Sequence, residues 1–373
     1  MLKRYIVIFI IMTFLILIFP GFNSLTFAEK PYESAKSAIL IEKDSGRILY
    51  SKNIDEKLPM ASTTKIMTAL IAIEKGDLDE IVTIKSDWIN VEGSSIYLKS
   101  NEKIKLKDLV YGLILRSGND AATAIACHIA GSVDNFSALM NKRAKEIGAL
   151  NTNFTNPHGL HSDNHYTTAY DLALISQEAL KNEVFREISK SADYMAERDL
   201  NSHFYNKNKT LWEYDGGDGV KIGYTQTSGR CLVSSATRND MQLIAVVLND
   251  NNWFEDCYNL FDHGFDNYKR IQILRKDNYI KDITINNGKI DRLPVVINKD
   301  LYYPLKKDEL KDVKISITTP TKLTAPLKKG DLIGKINITL KDEIIYEGTM
   351  KLTKNIDEKT VKDKFVNLIN DIF

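Results

Sequence analysis

The sequence predicts an α/β fold: one antiparallel sheet flanked by a helical block, then a small all-β sandwich domain and a C-terminal amphipathic helix. Three observations predict it. Two short strand patterns at residues 37–50 precede a run of helical patterns from Ser62 to about Leu180. Strand patterns return at 219–250, so early and late strands can share one sheet against which the helices pack. Beyond about Lys276 every segment is β-rich, with no helix before Asn355.

The elements follow in chain order. Lys3 and Arg4 precede an apolar run from residue 5 to residue 19, broken by Pro20-Gly21 and followed by Thr26-Phe27-Ala28. That is a signal-peptide pattern over residues 1–28, and the run is short for a membrane span. An uncleaved anchor is the alternative; either way the remainder lies outside the cytoplasm. "SAILIEKDSGRILY" reads as two strands around an Asp44-Ser45-Gly46 turn. Helices are expected over 62–75, 105–115, 120–130, 134–147 and 168–181, joined by Gly, Asn and Pro loops. "GVKIGYT" is then followed by a hairpin, "CLVSSATRNDMQLIAVVLND", turning at Arg238-Asn239-Asp240. The segments "YIKDITI", "LPVVI", "VKISIT", "LIGKINITL" and "EIIYEGTMKLT" make the all-β part. The tail "IDEKTVKDKFVNLINDIF" puts Val361, Phe365, Leu368, Ile369, Ile372 and Phe373 on one helical face. Such a helix suits a membrane interface, or packs on the β domain or a second subunit. The expected boundaries are 29–275 for the α/β domain, 276–354 for the all-β domain and 355–373 for the terminal helix.

Bulk properties narrow the function. With 373 residues, 43% hydrophobic and 27% charged, the chain has room for about two domains. A net charge of +1 argues for no nucleic acid and no acidic partner. Cys127 and Cys231 lie in apolar helical and strand patterns and read as core. With Cys257 they make an odd count without CxxC spacing, which gives no disulfide framework and no metal site. The six histidines show no HExxH arrangement, so neither metal nor other cofactor is expected.

The chemistry-bearing stretch is "PMASTTKIMTALIA" at 59–72, where Ile66, Met67, Leu70 and Ile71 have helical spacing for a buried face. Lys65 stands in its opening turn, beside the positive end of the helix dipole, where acidic residues are preferred. Ser62 precedes it by three residues, so the two project from one face. A serine hydroxyl is a weak nucleophile until a base takes its proton, and lysine serves as that base only as the neutral amine. Desolvation, a second cation and the helix end all lower its pKa. The N–H of Ser62 at the helix start could stabilise an oxyanion. The bland reading of Ser62 is an N-cap, but a capping box would want Glu or Gln where Lys65 stands.

Context sharpens the pattern. Ser117-Gly118-Asn119 falls in a loop between helical stretches, and Lys221-Ile222-Gly223 opens a strand. S-x-x-K, S-x-N and K-[ST]-G in that order form the signature of penicillin-binding proteins and serine β-lactamases. Decoys exist in Ser100 to Lys103, in Ser162-Asp163-Asn164 and in Lys328-Lys329-Gly330. With "LILRSGNDAATAIA", "TNFTNPHGL", "YTTAYDLALIS", "NKTLWEYDGGDGVKIGYT" and "SGRCLVSSATRNDMQLIAVVL", the chain resembles the low-molecular-mass, penicillin-binding protein 5-like D-alanyl-D-alanine carboxypeptidases over nearly all its mature length.

The resemblance implies a β-lactamase/transpeptidase-like catalytic domain with the C-terminal β domain, and an extracytoplasmic enzyme anchored peripherally by its terminal helix. Ser62 would attack the bond between the two terminal D-alanines of a peptidoglycan stem peptide, and β-lactams should acylate it. Lys65 would be the base, and Ser117 would relay protons to the leaving group. Asn119 would hold the substrate's amide, and Lys221 would bind the terminal carboxylate and keep Lys65 neutral. The strand at Gly223 would pair with the substrate, and the N–H of Tyr224 would complete the oxyanion hole. Two departures stand out. Ile222 occupies the family's Thr or Ser position, and Trp253 stands where members often carry an arginine for the same carboxylate. Losing two polar partners of a carboxylate could cost several kcal/mol, at about 1.5–3 kcal/mol each. A serine β-lactamase is one alternative, though "EIGALN" at 146–151 misses the E-x-x-L-N spacing by one residue. A membrane-tethered, weakly active or non-catalytic stem-peptide binder is the other, motivated by Ile222.

Overall fold

The computed structural model describes residues 31–363. The leader expected over 1–28, and the terminal helix beyond residue 363, lie outside them. Among the described residues no helix is long and apolar enough to cross a membrane.

Strands β1 (Ser37–Glu42) and β2 (Ile48–Lys52) form the first hairpin. A 3-10 turn, Ala61–Thr64, runs into α1 (Lys65–Lys75). The short strands β3 (Ile81–Thr83) and β4 (Lys103–Lys105) pair beside the helical block of α2 (Leu106–Leu115), α3 (Asn119–Ala130), α4 (Val133–Ile147), α5 (Ala169–Ala179) and α6 (Glu183–Lys190). The ribbon of β5 (Asp193–Met195) and β6 (His203–Tyr205) and the single turn α7 (Thr210–Glu213) lead to β7 (Gly217–Thr225), β8 (Gly229–Arg238), β9 (Met241–Leu248) and α8 (Trp253–Asn267). The main sheet has the antiparallel order β2-β1-β9-β8-β7, so early and late strands share it. It leaves β7 on an edge.

Local sequence accounts for these elements. Side chains of Ser132, Thr168 and Asn182 accept from first-turn N–H groups and cap α4, α5 and α6. Asn239 and Asp240 take φ of 50° and 60°, as a two-residue hairpin between β8 and β9 requires. Alternation then sorts the sheet into two faces. Ile39, Ile41, Ile244, Val246 and Leu248 join the core under the helical block. Ala38, Leu40, Leu243, Ala245 and Val247 join a second core with Cys257, Leu260 and Phe261 of α8. The sheet is therefore covered on both faces.

The all-β part comprises β10 (Lys269–Leu274), β11 (Tyr279–Asn286), β12 (Arg292–Val296), β13 (Leu301–Leu305), β14 (Val313–Thr318), β15 (Lys322–Thr324), β16 (Leu332–Leu340) and β17 (Glu343–Lys351). Two three-stranded sheets, β12-β11-β15 and β14-β16-β17, enclose a core of Ile283, Ile285 and Val295 from one and Ile336, Ile338 and Met350 from the other. Arg47, just before β2, ties this part to the main sheet. Its guanidinium makes two bonds to Glu309, at 2.7 and 2.9 Å, between the rings of Tyr268 and Tyr303.

Three expectations need correction. The helix expected over 62–75 opens as a 3-10 turn, Ala61–Thr64, and becomes α1 at Lys65; the Thr63 and Thr64 hydroxyls bond the carbonyls of Met60 and Ala61, three residues back. The helix expected from residue 355 is extended there, since Ile356 bridges Leu327 and Glu358 bridges Gly288. Helical geometry begins only at residue 361. Helices α6 and α8 were not expected; α8 carries Cys257, Leu260, Phe261 and Phe265 at helical spacing on its buried side.

Candidate active site

The turn carrying Ser62 is held from two sides by close backbone approach. Gly159, at φ +90°, brings its backbone against the carbonyl of Ala61, where a side chain would collide. Gly223 of β7 lies on the other side, and an added Cβ would stand 2.8 Å from Ser62 N and 3.0 Å from Thr63 N. Thr64 Oγ1 donates to Ala61 O at 2.8 Å and meets His165 Nε2 at 2.7 Å. His165 Nδ1 accepts from Thr155 N, so Nε2 carries the proton and donates to Thr64. Burial first, and then the charge of Lys65, lowers His165 to about 4, so this chain of bonds stays neutral.

Lys65 follows at the first position of α1 and is 0% exposed. Its Nζ lies 3.0 Å from Ser62 Oγ, 2.7 Å from Asn119 Oδ1 and 2.6 Å from the carbonyl O of His158. Two of these partners are carbonyl oxygens, which only accept. A neutral amine satisfies both with its two N–H groups and turns its lone pair to Ser62 Oγ, which then donates. Burial lowers the Lys65 pKa well below the ordinary 10.5, and the charges of Lys221 and Lys207 push in the same direction against Asp120. A cation at the helix start is thus a base in waiting.

Ser117 precedes α3, and Asn119 is its first residue. Ser117 is buried at φ 63° and is not a hydrogen-bond partner of Lys65. Asn119 has its amide engaged on both sides: Oδ1 accepts from Lys65, and Nδ2 donates to the carbonyl of Glu92. Its main-chain N–H donates to Ser94 O at 2.7 Å. The segment supplying those carbonyls is pinned by buried Asp120, whose carboxylate accepts from the N–H groups of Ile96 and Leu98 and from Ser95 Oγ. Asn119 therefore holds Lys65 in place and has one amide proton left for a ligand.

On β7, strand alternation sends Lys221 and Gly223 one way and Ile222 and Tyr224 the other. Lys221 is 2% exposed, donates to Ile222 O at 3.0 Å and is lowered to about 7 by burial and by the charge of Lys207. Ile222 and Trp253 both pack against the core around α8. The two departures from the motif therefore fall on the same apolar layer. β7 pairs only with β8 among the described strands, so its outer edge beside the Ser62 turn is open to an extended peptide.

Ser62, Lys65, Asn119, Lys221, Gly223 and Tyr224 converge at this junction of the turn, α1, α3 and β7. The decoys do not reproduce it: Lys103 lies in β4 rather than one helical turn from Ser100, and Lys328 to Gly330 sit in a turn of the β domain. Sequence reasoning missed His158, Lys207, Asp120 and His165. They act through a main-chain carbonyl, a through-space charge and buried scaffolding, none of which leaves a spacing signal.

A family model described as D-alanyl-D-alanine carboxypeptidase matches residues 25–252, and one described as penicillin-binding protein 5, C-terminal domain, matches 268–361. D-alanyl-D-alanine carboxypeptidase DacF of Bacillus subtilis is 35% identical over 324 residues, covering 84% of this chain and 83% of the relative. DacA of Escherichia coli is 33% identical over 363 residues, covering 92% and 89%. The structure of penicillin binding protein 5 from Haemophilus influenzae aligns with a TM-score of 0.75 at 30% identity, covering 88% of this chain and 99% of that one.

Proposed function

The chain belongs to the D-alanyl-D-alanine carboxypeptidase family of serine peptidases, and on that premise we propose how its residues perform the reaction. It removes the terminal D-alanine from peptidoglycan stem pentapeptides through an acyl-enzyme, and β-lactams acylate it. The substrate lies extended along the edge of β7. Ser62 Oγ attacks the carbonyl carbon of the penultimate D-alanine while its proton passes to Lys65 Nζ. The N–H groups of Ser62 and Tyr224 hold the oxyanion. The C–N bond then breaks, and the proton on Lys65 Nζ returns to the departing amine, with Ser117 as a relay that comes into contact with Lys65 once substrate is bound. Water cleaves the ester with Lys65 again as base. Asn119 holds Lys65 and offers its remaining amide proton to the substrate. Lys221 binds the terminal carboxylate and, as a second cation, keeps Lys65 neutral. Gly223 lets β7 approach the nucleophile.

One observation carries this reading: the buried Lys65 amine has two obligate acceptors and one hydroxyl as its partners, and that hydroxyl belongs to Ser62. Glu146, the closest approach to a β-lactamase-type deacylation base in the sequence, is exposed and pairs with Arg143 at 3.7 Å. Ile222 slows turnover by withholding a hydroxyl from the substrate carboxylate. We further propose the α/β part, through α8, as the catalytic domain and the β part from β10 onward as its support. The chain is exported by its leader to the cell-wall side of the plasma membrane. Its terminal helix rests on the membrane surface.

Labelling with a fluorescent penicillin and D-alanine release from a pentapeptide test the assignment. Wild type should do both, and Ser62→Ala and Lys65→Ala should do neither. Undiminished labelling of Ser62→Ala would refute it.

A further inference from the structure

A further cavity lies along β7 beyond Tyr224. At the β7–β8 hairpin it encloses about 580 Å³ and is lined by Tyr224, Gln226, Gly229, Arg230, Asn251 and Trp253. Arg230 stands opposite Tyr224 in the ladder, and directly opposed residues of an antiparallel pair project to one face. Tyr224 is 61% exposed beside it. Arg230 Nη1 donates to Asn251 O at 3.0 Å, and no carboxylate pairs with it among the described residues. A guanidinium anchored by one N–H keeps the rest of its planar fork for a carboxylate.

The direction of the substrate decides what reaches this cavity. With Lys221 at the terminal carboxylate and the N–H groups of Ser62 and Tyr224 at the scissile carbonyl, the residues before the scissile bond lie beyond Tyr224, toward Thr225 and Gln226. We infer that the cavity is an upstream subsite in which Arg230 pairs with a free carboxylate on the stem-peptide residues preceding D-alanyl-D-alanine, whose aliphatic part lies against Tyr224 and Trp253. The inference rests on the carboxypeptidase reading above. It also makes the chain selective for stem peptides whose upstream acid is not amidated.

The test measures kcat/KM for D-alanine release from two pentapeptides that differ only in that acid, free or amidated. Wild type should prefer the free acid by about tenfold, the scale of one charge-assisted bidentate contact. Arg230→Gln should abolish the preference, and Arg230→Lys should retain part of it as a point charge. Equal handling of the two peptides by wild type overturns the subsite, as does a preference that survives Arg230→Gln. An equal loss on both peptides in Arg230→Gln also overturns it, because it assigns the arginine to the terminal carboxylate they share. Penicillin labelling of Ser62 in parallel separates the two claims. Labelling without acid preference refutes the subsite alone, whereas absent labelling removes the carboxypeptidase reading and the subsite with it.

Discussion

Replacing Gly223 by alanine probes the tightest approach at the nucleophile. The new Cβ would stand 2.8 Å from Ser62 N, 3.0 Å from Thr63 N and 3.1 Å from Ala61 Cβ. Ordinary contact begins at 3.4 Å, so β7 and the Ser62 turn must separate by 0.6 Å (3.4 − 2.8). None of the three atoms belongs to a flexible side chain that could swing away. Gly223 does not need positive φ, so alanine suffers the contact rather than backbone strain. The proposed oxyanion donors, Ser62 N–H and Tyr224 N–H, sit on the two sides of that gap. Opening it by 0.6 Å stretches a bond of ordinary length past its useful range. Loss of one such donor costs about 10²–10³ in rate. Gly223→Ala should therefore slow penicillin acylation of Ser62 and D-alanine release about a hundredfold, while thermal unfolding changes by only a few degrees. Stopped-flow labelling beside a melting curve reads both. Acylation within about threefold of wild type, in a folded variant, refutes the claim that this contact sets the oxyanion hole.

Other outcomes follow from the same geometry. In the free enzyme kcat/KM should fall as pH rises through about 7, where Lys221 loses its charge; Lys207→Gln removes a cation that lowers that pKa, so the falling limb should move to higher pH. Ile222→Thr puts a hydroxyl on the open edge strand, on the side-chain face opposite Lys221, and should raise D-alanine release about tenfold where it meets the substrate carboxylate, from one bond to a charged group; release no faster than wild type would show that the missing hydroxyl is immaterial. Arg47→Ala leaves Glu309, whose side chain is 7% exposed, without its partner, and should destabilise the chain by about 3–5 kcal/mol in urea titrations. Burial alone would raise Glu309, but its bonds from Arg47 and Lys306 N–H outweigh that and hold it below the usual glutamate value. This contribution is complete above the unfolded-state pKa and is lost as pH falls through the folded one. Wild type should therefore lose stability on acidification, and Arg47→Ala should lose less of it.

The reacting residues were legible because their chemistry dictates identity and order. Ser62, Lys65, Ser117, Asn119 and Lys221 could be singled out before any fold was known. The β8–β9 turn was legible for a similar reason, since Asn239 and Asp240 tolerate the φ it needs. The 3-10 turn that carries Ser62 into α1 was not, because Ile66, Met67, Leu70 and Ile71 keep a plain helical spacing, while the turn shows only in the bonds that Thr63 and Thr64 make to the carbonyls of Met60 and Ala61, three residues back. Helix α8 does carry a readable pattern, with Cys257, Leu260, Phe261 and Phe265 at helical spacing. Residues 355–360 were drawn out of helix by pairing with Gly288 and Leu327, contacts no local pattern announces.

The measurement closest to the central claim is the pH dependence of Ser62 acylation by a penicillin, with the adduct located by mass spectrometry. An amine that burial and the charge of Lys221 hold well below an ordinary lysine's 10.5 predicts an adduct on Ser62 whose rate levels off well before that pH, and no adduct in Lys65→Ala. A rate that keeps climbing toward 10.5, or an adduct on another residue, contradicts it.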